Sequence, residues 1–344
     1  MESKKIGGEN GLTAALVGLG CNAFGRRVDE AGTHAVMDAA IDAGITFFDT
    51  AETYGDGASE RFMGSGLKGK RDKIVLATKF GFSKSHIEDK KRGSPENIRA
   101  ALEGSLTALK TDWIDLYQLH RPDPDTPIGE TMGALEDQVT AGKIRFYGCS
   151  FFTGAEMQSA IDEAARENLN GFVTAQNAWN VLERDIEADL VPVCDTNGIG
   201  LLPYYPIARG LLTGKYRRDA EAPAGSRLAG DATLADADFN RIEKLETYAN
   251  DHGRELLTLA MSWLAAQPSI ASIIAGAMAN DVATMQPTII LVPFASAARA
   301  RLRASVRPPV LSSLMLIMPY VPAIASRSSK MWQDSSAQSK TGLS

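Results

Sequence analysis

Eight short apolar runs, alternating with amphipathic stretches, constrain this 344-residue chain more than any other feature. The runs are AALVGLG (14–20), ITFFDT (45–50), KIVLATKFG (73–81), DLYQLH (115–120), IRFYGCS (144–150), FVTAQNA (172–178), IGLLPY (199–204) and SIIAG (272–276). Helical patterns lie between them, with apolar residues recurring every three or four positions. One opens after Asp29 and closes at Gly44, and another begins Ser94-Pro95-Glu96, a cap followed by an N1 proline. Thr126-Pro127 repeats that device, and further patterns cover 154–167 and 256–267, with an extra helix over 241–253 before the last unit. Strands apolar on both faces, each followed by a helix, imply a parallel sheet. Eight such units favour closure into a (β/α)8 TIM barrel, for which about 250 residues suffice.

The pattern stops near residue 285. Segment 286–344 holds seven Lys/Arg residues and one acid, a net of +6, while the whole chain carries −6. Prolines at 287, 293, 308, 309, 319 and 322 break any long helix there. Two regions are therefore expected, a barrel over 1–285 and a basic, Pro/Ser/Ala-rich tail over 286–344 whose end reads as disordered. Simultaneous loss of acids, period and motif at one point is what a reading-frame shift in the coding sequence would produce. The apolar run 310–325 is interrupted by two prolines and is shorter than the about 20 residues of a membrane helix, so no membrane span is expected. The net negative charge argues against general nucleic-acid binding.

Three widely spaced cysteines (Cys21, Cys149, Cys194) suggest a reducing compartment without a disulfide framework or a zinc knuckle. The start, MESKKIGGENGL, lacks the apolar core of a secretory signal, so a cytoplasmic location is expected. His34, His86 and His252 have no ligand-like spacing, and no metal site is expected. GLGCNA (18–23) fits a dinucleotide fingerprint on paper, but no helix opens directly after it, and a strand-end turn is the expectation. Trp113 and Trp263 read as helix packing residues, and Trp179 as core or pocket wall.

Barrel active sites lie at the C-terminal ends of the strands. Strand two ends at Asp49, with Tyr54 five residues on; strand three ends at Lys79 and strand four at His120. Any one of these alone would pass for a rim ion pair. Together they form a proton-transfer set. A phenol is a weak acid near neutral pH; an adjacent ammonium stabilises its phenolate and is expected to lower its pKa. A carboxylate holds the ammonium, and an imidazole polarises a carbonyl oxygen. No nucleophile stands beside a base, so acyl transfer is not suggested. A hydride for carbonyl reduction must come from a cofactor.

The segments GLGCNAFG, DAGITFFDTAETYGDGASE, IVLATKFG, DLYQLHRPDPDTP, AGKIRFYGCS, AQNAW and YYPIARGLLTGKY run in order over residues 12–276 and resemble the aldo-keto reductase family. The resemblance implies a barrel that binds NADP(H), with NAD(H) left open, and that reversibly reduces an aldehyde or ketone. It implies Tyr54 as proton donor, Lys79 and Asp49 tuning it, and His120 orienting the carbonyl. It puts Ser150 and Gln176 on the nicotinamide carboxamide and Tyr205 against the nicotinamide ring. It puts Gly20 and Cys21 beneath that ring and counts Asp49, and Gly276 at the end of strand eight, among the cofactor-binding residues. Pro206, Ile207, Ala208, Gly210, Leu211 and Lys215 fall on the loop over the pyrophosphate, and Arg227 falls within reach of a phosphate.

Two departures stand out. Phe151 occupies a position where the family usually has Asn, and the basic clamp expected after Gly276 is replaced by Ala277-Met278-Ala279-Asn280. Beyond Gln286 the resemblance ends. Two other readings stay open, a non-catalytic nicotinamide-nucleotide-binding module like a channel β-subunit, and a defective paralogue. Substrate identity and oligomeric state are not legible in the sequence.

Overall fold

The computed structural model describes residues 2–8, 11–82, 86–88 and 90–276. The boundary expected at 285/286, the tail, and the missing clamp after Gly276 lie outside the described residues. A hairpin comes first, with β1 (Ser3–Ile6) antiparallel to β2 (Leu12–Ala15). Eight parallel strands follow: β3 (Val17–Gly20), β4 (Phe47–Asp49), β5 (Val75–Phe80), β6 (Ile114–Leu119), β7 (Ile144–Ser150), β8 (Thr174–Gln176), β9 (Gly200–Leu201) and β10 (Ile273–Gly276). Seven of the eight apolar runs contain one of these strands whole, and β6 begins one residue before its run, at Ile114. β10 pairs with β3, and hydrogen bonds from Leu201 N to the Ser269 carbonyl and from Ile274 N to the Pro203 carbonyl close the ring between the last two strands.

Helices α1 (Glu30–Asp42), α2 (Ala58–Gly66), α3 (Pro95–Leu109), α4 (Ile128–Thr140), α5 (Gly154–Glu167) and α6 (Leu190–Asn197) cover the outside of the sheet, as does α8 (Leu256–Ala265), on which α7 (Phe239–Asp251) packs. Their starts follow from capping chemistry. The Asp29 carboxylate accepts from Gly32 N at 2.8 Å, the Ser94 hydroxyl from Asn97 N at 3.3 Å, and Thr153 forms a reciprocal box with Glu156. α4 begins one residue later than expected. Pro127 is its cap, and the Thr126 hydroxyl turns away to donate to Asp123 Oδ2 at 2.8 Å.

Period two along the strands divides the core in two. Phe48 and Leu76 point outward and pack with Val36, Met37, Ile98 and Leu102 of the helices. Phe47, Val75, Ala77, Leu116, Leu202 and Ile274 point inward and fill the barrel. The N-terminal hairpin, which the sequence pattern did not reveal, places Ile6, Leu12 and Ala14 in that same interior cluster and plugs the barrel floor. Gly18 is required within this layer, because a Cβ there would lie 2.7 Å from Phe47 Cδ1. The GLGCNA segment is a strand end followed by a turn; the next helix opens only at Glu30.

One tryptophan expectation is corrected and another, left open, is decided. Trp113 lies in the turn before β6, with the Arg71 guanidinium 4.3 Å from its ring centre. Trp179 is a core residue and not a pocket wall; it meets Trp263 edge-on at 5.8 Å and donates to Glu187.

Candidate active site

The inward series on each strand runs from apolar filling to a polar end. In β4, Phe47 is followed two residues on by Asp49; in β5, Val75 and Ala77 are followed by Lys79. In the third series Leu116 leads to Gln118 and then to His120, one residue past β6. In β7 Phe146 leads to Gly148 and Ser150, and in β8 Thr174 leads to Gln176. A period of two thus carries every strand-borne polar candidate to the C-terminal mouth.

Lys79 is fully buried and uses its ammonium protons locally. Its Nζ donates to Asp49 Oδ2 at 2.6 Å, to the Thr50 carbonyl at 2.8 Å and to Tyr54 Oη at 3.4 Å. The other carboxylate oxygen of Asp49 accepts from Gln118 Nε2 at 3.2 Å and Gln176 Nε2 at 3.0 Å. A buried ion pair is tolerable only when its remaining valences are met in this way. Gln118 completes the pair, although the sequence reading passed over it. Because Lys79 donates to the Tyr54 oxygen, the phenol keeps its own hydrogen for another acceptor.

Tyr54 sits in the turn between β4 and α2. Its carbonyl accepts from Ser59 N at 3.1 Å, and the Ser59 hydroxyl reaches the Cys21 carbonyl at 3.0 Å. Its ring meets His120 edge-on at 5.9 Å.

Burial raises the Tyr54 pKa above the ordinary phenol value, with Lys79 pulling against it. The expected downward pull of the lysine is therefore present, but burial outweighs it, and the phenol is stocked in its acid form. Burial works to discharge Lys79, yet Asp49 and Tyr54 overcome this and hold its pKa above the lysine range. Burial, Lys79 and Arg121 push His120 down to about 2, so its imidazole is neutral. Its Nδ1 is buried without a hydrogen-bond partner among the described residues.

The other candidates spread from this centre. Gly20 is in register with Asp49 and with Gly276, and Cys21 N donates to the Asp49 carbonyl at 2.9 Å. The Ser150 hydroxyl donates to the Gln176 carbonyl at 2.7 Å. Tyr205 opens a contorted turn in which Tyr205, Ala208 and Arg209 have φ of 55°, 46° and 55°, and Gly210 has 104°. Three non-glycine residues in the left-handed region within five positions store strain, a feature that clusters at ligand sites. Pro206, Ile207, Ala208, Gly210 and Leu211 lie on this turn. Arg209 and Arg227 approach the Tyr205 ring at 5.0 and 4.9 Å, and neither is ion-paired among the described residues. Burial lowers the Arg227 pKa, and Arg27 and Arg209 push the same way. Lys215 stands apart from the Asp49 network, over the Tyr216 ring at 5.2 Å. Tyr216 Oη accepts from Leu228 N and so ties the turn to the Arg227 segment. Arg209 and Arg121 were missed in the sequence, where nothing marks an arginine as facing an aromatic ring. No cluster of metal-ligating side chains occurs among the described residues.

A buried Asp–Lys pair, a phenol and a neutral imidazole at a barrel mouth make a set able to give a proton. Comparison with known proteins agrees with that arrangement. The Aldo/keto reductase family profile matches residues 16–295, so the family match extends past Gln286, the end expected from the sequence motifs. An uncharacterized oxidoreductase, YrpG, of Bacillus subtilis (strain 168) is 36% identical over 280 residues, 78% of this chain and 85% of its own. A probable voltage-gated potassium channel subunit beta of Oryza sativa subsp. japonica is 31% identical over 306 residues, 85% of this chain and 92% of its own. The holo form of aldo-keto reductase AKR11C1 from Bacillus halodurans superposes with a TM-score of 0.68 at 28% identity, covering 85% of this chain and 91% of its own. With the tetrad assembled on eight parallel strands and the match spanning most of its length, this chain belongs to the aldo/keto reductase family of oxidoreductases.

Proposed function

We propose that the protein reversibly reduces an aldehyde or ketone to an alcohol with NADPH, with Tyr54 as the proton donor. The observation that carries this reading is the buried Asp49–Lys79 pair bonded to the Tyr54 oxygen beside a neutral His120. The nicotinamide cofactor supplies the hydride when bound. Tyr54 gives its proton to the carbonyl oxygen as that oxygen gains negative charge. His120, neutral at every physiological pH, donates a hydrogen bond to the same oxygen and fixes its position. The Lys79 ammonium stabilises the phenolate left behind, and Asp49 keeps that ammonium charged. In alcohol oxidation Tyr54 acts as the base.

The residues present fit a dinucleotide. Gln176 spends its amide nitrogen on Asp49, which leaves Oε1 to accept from a carboxamide beside Ser150. Gly20 and Gly276 offer no side chain to obstruct a flat ring. The Tyr205 turn, Lys215 and the un-ion-paired Arg209 and Arg227 suit pyrophosphate and phosphate groups. NADP(H) is favoured over NAD(H) on this cationic character. The substrate is a small carbonyl compound and the location cytoplasmic. No helix among the described residues is long and apolar enough to cross a membrane.

The potassium-channel β-subunit relatives favour one second reading, a regulatory module that binds the nucleotide without turning over. One experiment separates the two. NADPH consumption with a panel of aldehydes is measured for wild type and Tyr54→Phe, beside NADPH titration by tryptophan fluorescence. Reduction in wild type, lost at least about 100-fold in Tyr54→Phe with cofactor affinity kept, supports the enzyme. Tight NADPH binding with no turnover by either supports the module.

A further inference from the structure

Arg121 is a cation beside the tetrad that the proton-transfer set does not use. Arg121 follows His120 directly in the chain, and its side chain is exposed. Its guanidinium carbon lies over the Phe82 ring at 4.7 Å and over the Phe151 ring at 4.5 Å. It makes no hydrogen bond or ion pair with any described residue, whereas the neighbouring Arg92 bonds two carbonyls and approaches Asp123. Phe82 also packs on His120 at 4.8 Å, so one ring touches both the imidazole and the guanidinium.

The aromatic clamp is held at a conformational cost. Phe151 has φ of 62°, in the left-handed region that an aromatic residue rarely enters. Asparagine, usual at this position, adopts that conformation readily. In exchange the Phe151 ring is brought within 4.5 Å of Arg121 and 5.4 Å of the Tyr204 ring. A guanidinium held by two rings loses little freedom on binding, and its N–H edge presents parallel donors to a carboxylate or phosphate. Strain, an ordered unpaired cation and adjacency to the carbonyl-orienting histidine coincide at one point.

We infer that Arg121, clamped by Phe82 and Phe151, binds an anionic group at the far end of the carbonyl substrate, so that the preferred substrates are aldehydes or ketones bearing a carboxylate. This rests on the mouth being a carbonyl-binding site, as proposed above. The rings supply an apolar wall for the body of the substrate, while the guanidinium fork takes the carboxylate.

The test uses the full-length protein and two readouts. Turnover of 4-carboxybenzaldehyde is compared with that of its neutral methyl ester, with NADPH, for wild type, Arg121→Gln and Arg121→Lys. The ratio of kcat/KM, acid over ester, is expected to fall at least tenfold in Arg121→Gln and by less in Arg121→Lys, which keeps charge without the fork. Calorimetric titration with benzoate needs no turnover. Benzoate is expected to bind wild type at least tenfold more tightly than Arg121→Gln, with benzamide indifferent to the change. Benzoate affinity that is absent in wild type, or equal in the two proteins, overturns the inference, as does an unchanged acid-to-ester ratio. Arginine-dependent benzoate binding without reduction of either aldehyde supports the anion site and refutes the reductase reading instead.

Discussion

Glu60→Gln tests how well the electrostatics beneath the site are understood. Glu60 lies on α2 and is 3% exposed, with Oε1 accepting from the Thr78 hydroxyl at 2.6 Å, one residue before Lys79. Burial raises its pKa from the ordinary 4.5 to about 7, against the pull of that hydroxyl. The folded state therefore holds a proton that the unfolded chain has already lost across this interval. Below about 4.5 both states are protonated and the group leaves stability untouched. As pH rises from there through about 7, stability falls, because the native state must ionise a buried carboxyl. The gap of two to three pKa units corresponds to a loss of about 3 kcal/mol, complete by pH 8. Glutamine copies the protonated form and can still accept from Thr78. Urea unfolding of wild type and Glu60→Gln, followed by tryptophan fluorescence from pH 5 to 8, isolates the effect as a difference. The variant is expected to gain about 2.5 kcal/mol on wild type between the two ends of that range, since part of the loss is complete by pH 5. Parallel stability–pH curves for the two proteins would refute the argument.

Two further outcomes follow from the packing. Lys79→Met leaves the Asp49 carboxylate buried with only the Gln118 and Gln176 amides, so unfolding free energy should drop by about 3–5 kcal/mol. The same variant should reduce carbonyls far more slowly, because the Tyr54 phenolate loses its counter-charge, a deficit measurable at a temperature where it remains folded. Ile6→Ala opens a void in the barrel floor against Phe47 and Leu116 and should cost about 2–5 kcal/mol in denaturant unfolding, with little change in NADPH affinity.

Much of this arrangement was legible in the chain because barrel strands obey a strict period. Once Phe47, Val75 and Leu116 are placed inside, Asp49, Lys79 and His120 must follow at the mouth. Capping residues such as Asp29 and Ser94 likewise announce their helices locally. The N-terminal hairpin was not legible, since SKKI and LTAA are too short to show a period and are defined by the floor they cover. Trp113 illustrates the converse, an apolar residue whose helical spacing is accidental and whose partner, Arg71, is 42 positions away. The net pKa of Tyr54 depends on burial, which only the assembled mouth determines. The Arg121 clamp brings together residues 82, 121 and 151, and its decisive sign, the left-handed backbone of Phe151, has no signature in composition or spacing.

The central claim is that hydride from the cofactor and a proton from Tyr54 meet on one carbonyl. NADPH carrying deuterium at nicotinamide C4 tests it most directly, with the product alcohol analysed by mass spectrometry. The account predicts deuterium on the carbinol carbon with wild-type protein and no labelled alcohol with Tyr54→Phe. Unlabelled alcohol from wild type, or labelled alcohol formed equally fast by Tyr54→Phe, would contradict it.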